Sequence, residues 1–236
     1  MFQDDERELE SKMERRRFLR AVGAGTVLVA LGGGTYVLAA ENDPRGKQLR
    51  SDGRPRLPPG QRIIDTLKPM GGDPGDPSAA SFRLQIRGEV ENPLTMDFAA
   101  LTAMPVTEQV CDVHCVTGWS ALDSRWTGVS IAQLAKLAKV KDTARYLILE
   151  AANGYTANVR LSEALAATSL LAYKFNGAAL PHPHGPPVRA LLPDLYFWKS
   201  AKWITGLHFS ARDRPGYWET RGYHNHADPW TEERYG

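Results

Sequence analysis

Cys115 lies in Val113-His114-Cys115-Val116-Thr117-Gly118-Trp119-Ser120, a single thiol at the end of a strand-like run with a glycine-containing turn behind it. As a thiolate it is a soft ligand for a transition metal; as a thiol it is a small apolar core residue, the commoner use of a lone cysteine. Further along, His184-Gly-Pro-Pro-Val-Arg189 and Lys199-Ser200-Ala201-Lys202-Trp203 bring together a planar guanidinium fork, two ammonium point charges and a loop rich in backbone N–H groups. A buried phosphate needs fixed cationic donors of this kind, although each residue taken alone reads as a surface charge or a loop histidine. Trp218-Glu-Thr-Arg221-Gly-Tyr223 ends in a phenol, which can donate a hydrogen bond where charge develops during a reaction or simply anchor the C-terminal segment. His224 and His226 form a His-x-His pattern able to bind zinc or copper. With His182, His184 and His208 they define the alternative reading, an exported, non-catalytic metal-binding protein.

These segments, with Trp126-Thr127-Gly128-Val129, resemble in order and spacing the cofactor site of the sulfite-oxidase family over roughly Phe82 to Tyr223. The resemblance implies a molybdenum-molybdopterin cofactor, with Cys115 as the molybdenum ligand and Tyr223 directed at the reacting oxygen. It implies that His184, Arg189, Lys199, Ser200 and Lys202 hold the pterin and its phosphate. The implied fold is α+β, the sulfite-oxidase-type molybdopterin-binding fold with mixed, partly barrel-like sheets. The implied activity is oxygen-atom or two-electron transfer to a small molecule, with electrons passed to or from a separate protein, a cytochrome c or a membrane haem subunit. Two departures bear on the substrate. No Phe-x-Arg-Asn-His segment precedes Cys115, and Gly118-Trp119-Ser120 stands where sulfite oxidases keep Gly-Asn-Arg, so the sulfite-binding arginines are not evident. The Trp119 context is closer to bacterial methionine-sulfoxide reductase catalytic subunits, which makes S- and N-oxides the first candidates beside a sulfite-like substrate. The family's immunoglobulin-like and haem-binding domains are not expected.

A chain of 236 residues with 42% hydrophobic content can bury one sizeable core or two small ones. Its net charge of +2 is the difference of 29 basic and 27 acidic residues, and much of the basic excess lies between Arg15 and Arg62. The body is therefore near neutral, which excludes a nucleic-acid footprint. Two cysteines cannot make a disulfide framework; Cys111 reads as core, with at most a local bridge to Cys115. Arg15-Arg16-Arg17-Phe18-Leu19-Arg20 fits the twin-arginine pattern and runs into the uncharged stretch Ala21 to Ala40. Residues 1–40 thus read as a signal for the twin-arginine translocase, cleaved or kept as an anchor. The site is then expected in the periplasm or on the outer face of the cytoplasmic membrane.

Residues 41–80 are rich in proline and glycine, which disfavours regular structure; they read as a linker that is either a solvated tether or a wrap lining the cofactor cleft. Residues 81–236 form the oxidoreductase domain. Phe82, Leu84 and Ile86 alternate as a half-buried strand up to Gly88, and Asp97 can cap a short helix that stops before Pro105. Gln109 to Val116 is a strand leading to Cys115. Ser130 caps a helix over Ile131 to Ala138, whose apolar residues fall on one face. Arg145 to Glu150 and Tyr155 to Val159 flank an Asn153-Gly154 hairpin turn. Ser162 can cap another short helix. Strands over Leu170 to Phe175, Val188 to Leu192 and Lys202 to Phe209 complete the series. Without long helices between strands, a doubly wound parallel sheet is excluded.

Overall fold

The computed structural model describes residues 27–31 and 34–38 as paired strands, and residues 43–236 in full. The twin-arginine segment at 15–20 lies outside the described residues. The chain divides into two units, one running to Arg56 and the other from Leu57 to Gly236.

In the first unit, β1 (Val27–Leu31) and β2 (Gly34–Leu38) pair antiparallel, within the stretch that the sequence reads as an export signal. No helix among the described residues is long and apolar enough to cross a membrane. A short helix, α1 (Pro44–Lys47), starts where Asp43 accepts the Arg45 N–H at 2.9 Å, with proline at its first position. The Arg45 guanidinium beside it lowers the Asp43 pKa.

The second unit holds two mixed sheets. In the first, β7 (Trp119–Ser130) is central. It pairs antiparallel with β6 (Thr107–Cys115) and with β10 (Leu170–Phe175), and its first residues pair parallel with β3 (Arg62–Ile64). β11 (Ala178–Ala179) and β12 (Arg189–Leu191) extend the sheet beyond β10. The second sheet has the order β5, β4, β13, β8, β9: Leu94–Asp97, Arg83–Gly88, Ile204–Ser210, Tyr146–Ala151 and Thr156–Arg160. Only β4 and β13 run parallel there. The architecture is α+β with mixed sheets, and neither sheet closes into a barrel.

The helices are short. α2 (Phe98–Thr102) is capped by the Asp97 carboxylate, and α3 (Ile131–Ala138) by the Ser130 hydroxyl. Ile131, Leu134, Ala135 and Ala138 of α3 pack with Leu84, Ile86, Leu147, Leu207 and Phe209 of the five-stranded sheet and with Val129, Leu171 and Ala190 of the other. This is the larger core. The second cluster gathers Val113, Cys115, Trp119, Trp126, Leu191 and Phe197, with Cys111 against its edge. Cys111 is thus a packing residue, and no disulfide joins it to Cys115.

Three details differ from the sequence reading. The helix expected from a Ser162 cap, α4 (Leu161–Ala164), begins two residues earlier; Arg160 occupies the cap position without a side-chain bond and Ser162 lies inside the helix. The 12-residue strand β7 was not foreseen, because a register shift at Asp123, in the left-handed region at φ 57°, breaks its alternation. The proline-rich stretch from 41 to 80 contains both α1 and β3.

Candidate active site

The β6–β7 hairpin presents Cys115 at its tip, paired with Trp119 across the turn Val116-Thr117-Gly118. Gly118 closes the turn at φ 86°, and its N–H donates to the Cys115 carbonyl at 3.0 Å. Gln61, just before β3, donates to the same carbonyl at 3.1 Å. The Cys115 sulfur lies 3.2 Å from the Thr117 hydroxyl and is 4% exposed. Burial pushes the thiol's pKa up, opposed by the Thr117 hydrogen bond and by the positive charges of Arg234 and Lys68.

The sulfur faces a cavity of about 460 Å³ whose walls come from five stretches of the second unit. Lys68, Met70, Gly71 and Gly72 form one edge, and Asn153 to Tyr155 of the β8–β9 turn another. His184 and Arg189, the loop from Phe197 to Trp203, and Tyr217, Trp218 and Tyr223 complete it. Cys115, His184, Arg189, Ser200, Lys202 and Tyr223, dispersed in sequence, therefore share one chamber.

The cationic end is built from Arg189 and Lys202. Arg189 on β12 is 2% exposed, and its guanidinium donates to the backbone carbonyls of Ser200 at 2.8 Å, His184 at 3.1 Å and Ala190 at 3.2 Å. The Phe197 ring lies 4.2 Å from the guanidinium carbon. Lys202 donates to the carbonyls of Met70 at 2.7 Å and Pro183 at 3.1 Å, and also to that of Gly71. Burial brings the Arg189 pKa down to about 9. Burial and the neighbouring Arg189 charge bring Lys202 down to about 8. Among the described residues no carboxylate offsets either group. His184 is held below its ordinary value by burial and by both cations, so it is neutral at pH 7. The Ser200 hydroxyl accepts from the Leu192 N–H at 2.9 Å and fixes the loop against β12.

Another part of the wall is aromatic. Tyr223 meets Trp198 edge-on at 5.1 Å, Trp218 at 4.8 Å and Tyr235 at 5.3 Å. Burial, then Tyr235 and Cys115, raise its pKa, so the phenol is a proton donor at neutral pH. Tyr155, whose hydroxyl donates to the Trp198 carbonyl at 2.6 Å, is raised further by burial, Glu219 and Tyr223.

Lys199 requires a correction. Expected as a pterin donor, it does not line the cavity. Its ammonium is fully buried, 2.6 Å from Glu219 Oε1, and donates to Asn158 Oδ1 at 2.8 Å and the carbonyls of Asn158 at 2.9 Å and Asn225 at 2.7 Å. With its N–H groups committed, it is an internal strut. The histidine alternative also disperses. His208 neighbours Arg87 and Glu150, His226 bonds Glu163 and Glu233, and His182 bonds the Gly75 carbonyl. Among the described residues no group of three or more His, Cys, Asp or Glu side chains is arranged to hold a metal.

The matching family fits this chamber. Residues 71–218, more than half of the chain, match the oxidoreductase molybdopterin binding domain. The chain belongs to the sulfite-oxidase-like molybdopterin oxidoreductases. The uncharacterized oxidoreductase YuiH of Bacillus subtilis (strain 168) is 43% identical over 80% of this chain and 97% of its own length. The protein-methionine-sulfoxide reductase catalytic subunit MsrP of Burkholderia mallei is 28% identical over 91% of this chain and 76% of that protein. The sulfane dehydrogenase SoxCD structure from Paracoccus pantotrophus superposes with a TM-score of 0.56 at 22% identity, over 66% of this chain and 46% of that chain, a likeness of fold. This molybdopterin oxidoreductase is thus a molybdenum-dependent enzyme. Its chamber suits the cofactor on its own evidence: a buried soft sulfur at one point, and two cations without a carboxylate beside them.

Sequence reasoning missed Lys68, Thr117, Tyr155 and Trp198. Nothing around Lys68 in the sequence marks it. Trp198 stands one residue before the Lys199-to-Trp203 segment that carries the resemblance.

Proposed function

We propose that this oxidoreductase is exported by the twin-arginine route and exchanges an oxygen atom with neutral S- or N-oxides outside the cytoplasmic membrane, served by a separate electron carrier. The observation that carries the substrate reading is the polarity of the chamber. Buried Arg189 and half-buried Lys202 share the lining with His184 and Ser200, where a pterin phosphate would be held, whereas much of the remaining wall is aromatic: Tyr155, Trp198, Tyr217, Trp218 and Tyr223. Lys68, exposed at the edge, is the remaining cation among the described lining residues. A dianion such as sulfite would meet there, of the described cations, only exposed Lys68 and Arg234, which already donates to the Val116 carbonyl, so its desolvation would be poorly offset, unfavourable by several kcal/mol on the order-of-magnitude scale for buried charge; a neutral oxide avoids that cost. The MsrP relatives, named as methionine-sulfoxide reductases, support the same direction.

When bound, the molybdenum centre supplies reversible two-electron, oxygen-atom exchange. Cys115 would ligate the metal, and burial keeps water from its sulfur. Arg189 and Lys202 would hold the phosphate, with neutral His184 and the backbone around Ser200 as further donors. Tyr223, protonated at neutral pH, would donate a hydrogen bond to the substrate oxygen, and the surrounding rings would exclude water from that proton.

The test is steady-state reduction of a panel of sulfoxides and N-oxides with a viologen donor, beside sulfite oxidation with a cytochrome c acceptor. Turnover of at least one oxide with a higher kcat/KM than sulfite is expected. Efficient sulfite oxidation with inert oxides overturns the reading.

A further inference from the structure

We infer that Glu219 is a positioning residue, a buried carboxylate that fixes the Trp198 indole and, through its ring, sets where Tyr223 stands in the chamber. Glu219 is 1% exposed and its ion-pair partner Lys199 is fully buried. All of the carboxylate's hydrogen bonding falls on Oε1, which receives the Lys199 ammonium at 2.6 Å and the Trp198 N–H at 2.9 Å. Oε2 is buried without a hydrogen-bond partner. The turn closes so tightly there that a Cβ on Gly216 would come 2.7 Å from Oε2. Such a pair is a costly way to hold two segments together, since apolar side chains of similar volume commonly serve stability as well or better. What an apolar pair lacks is an acceptor for the indole N–H.

That acceptor has a defined consequence. Trp198 is held at its nitrogen by Glu219 and at its carbonyl by the Tyr155 hydroxyl, and its ring stacks on Tyr196 at 5.3 Å and 14°. The ring is thereby fixed to meet Tyr223 edge-on, at 5.1 Å and 84°. Glu219 itself follows Trp218 and opens the one-turn 3-10 helix Glu219–Arg221, two residues before Tyr223. One carboxylate therefore ties the loop carrying Ser200 and Lys202 to the turn carrying Tyr223.

The inference rests on Tyr223 serving the substrate, so the test separates the two. Two double variants, Lys199→Met with Glu219→Gln and Lys199→Met with Glu219→Leu, both remove the charge pair, but only the first leaves residue 219 able to accept from Trp198. A single variant, Trp198→Phe, removes the N–H and leaves the ion pair. Melting temperature and molybdenum content are measured first. In the cofactor-free chains, near-ultraviolet circular dichroism of the aromatic cluster should stay wild-type in the Gln double and change in the Leu double; Trp198→Phe, which itself removes an indole signal, is read by KM. With the cofactor loaded, KM for the best oxide should rise about 10-fold or more in the latter two at unchanged molybdenum content, against less than about 3-fold in the Gln double. Equal spectra in the two doubles, with equal KM in all three variants, overturn the inference. If the Leu double does not fold, Trp198→Phe decides. If the wild type reduces no oxide, the functional reading fails and the cofactor-free spectra alone decide the positioning.

Discussion

The two cations that share the chamber without a carboxylate should make anion binding fall steeply with pH. Sulfate, which does not titrate in this range, is a probe for the phosphate subsite of the cofactor-free chain. With a pKa of about 8, Lys202 is about nine-tenths protonated at pH 7 and about one-tenth at pH 9. Sulfate affinity should therefore drop about 10-fold over that range, ~1.4 kcal/mol. The sign is fixed by which form binds: the anion prefers the protonated lysine, so binding takes up protons and weakens as pH rises. Folding is linked in the opposite sense. Both groups have folded pKa values below their ordinary ones, so the anion-free chain is penalised below about pH 8 and relieved of this penalty as pH climbs toward 10.5. Isothermal titration at pH 7, 8 and 9 gives the affinities, and thermal melts at the same pH values with and without sulfate give the linkage. In Lys202→Met, affinity at pH 7 should already sit near the wild-type value at pH 9 and stay flat to pH 8. A pH-independent wild-type affinity, or an unchanged slope in Lys202→Met, would refute the reasoning.

Further outcomes follow from the same geometry. Cys115→Ser should abolish turnover and sulfur-to-metal absorption, while Cys111→Ser, at the edge of the smaller core, keeps both; activity assays and visible spectra of the two purified variants check this. Tyr223→Phe should keep full molybdenum loading and lower kcat/KM about 10-fold or more, the scale of a lost transition-state hydrogen bond of ~1.4 kcal/mol. Lys199→Met alone, which strands Glu219 as a buried unpaired carboxylate, should destabilise the fold by about 3–5 kcal/mol in urea melts, with much of the loss restored by Glu219→Gln in the same chain. Changing Arg15, Arg16 and Arg17 together to Lys should retain folded protein in the cytoplasm, and unchanged export in cell fractionation would rule out the twin-arginine route.

Local chemistry made much of this fold readable. Asp97 and Ser130 cap the helices expected of them, and Asn153-Gly154 makes the turn between β8 and β9, with Gly154 at φ 77°. Cys115, Arg189, Lys202 and Tyr223 were found together because their spacing resembled a known arrangement. What could not be read depends on partners remote in sequence. Lys199 looks the same in a string of letters whether it holds a phosphate or Glu219, twenty residues on, and only the packing of Asn158 and Asn225 around it decides. The long strand β7 was hidden by Asp123, since one left-handed residue shifts the alternation on which strand recognition rests.

The placement of β13 has a consequence for how the chain is made. It is the central strand of the five-stranded sheet, between β4 and β8, yet it is the last strand of the series to leave the ribosome. Until Ile204 to Ser210 emerge, β4 and β8 each present an open hydrogen-bonding edge to the cytosol, and Leu84, Ile86, Leu147 and Leu149 lack Leu207 and Phe209 to close over them. The sheet therefore closes only once β13 is free of the ribosome, and the nascent chain before that point is the stage at which shielding by a chaperone matters most.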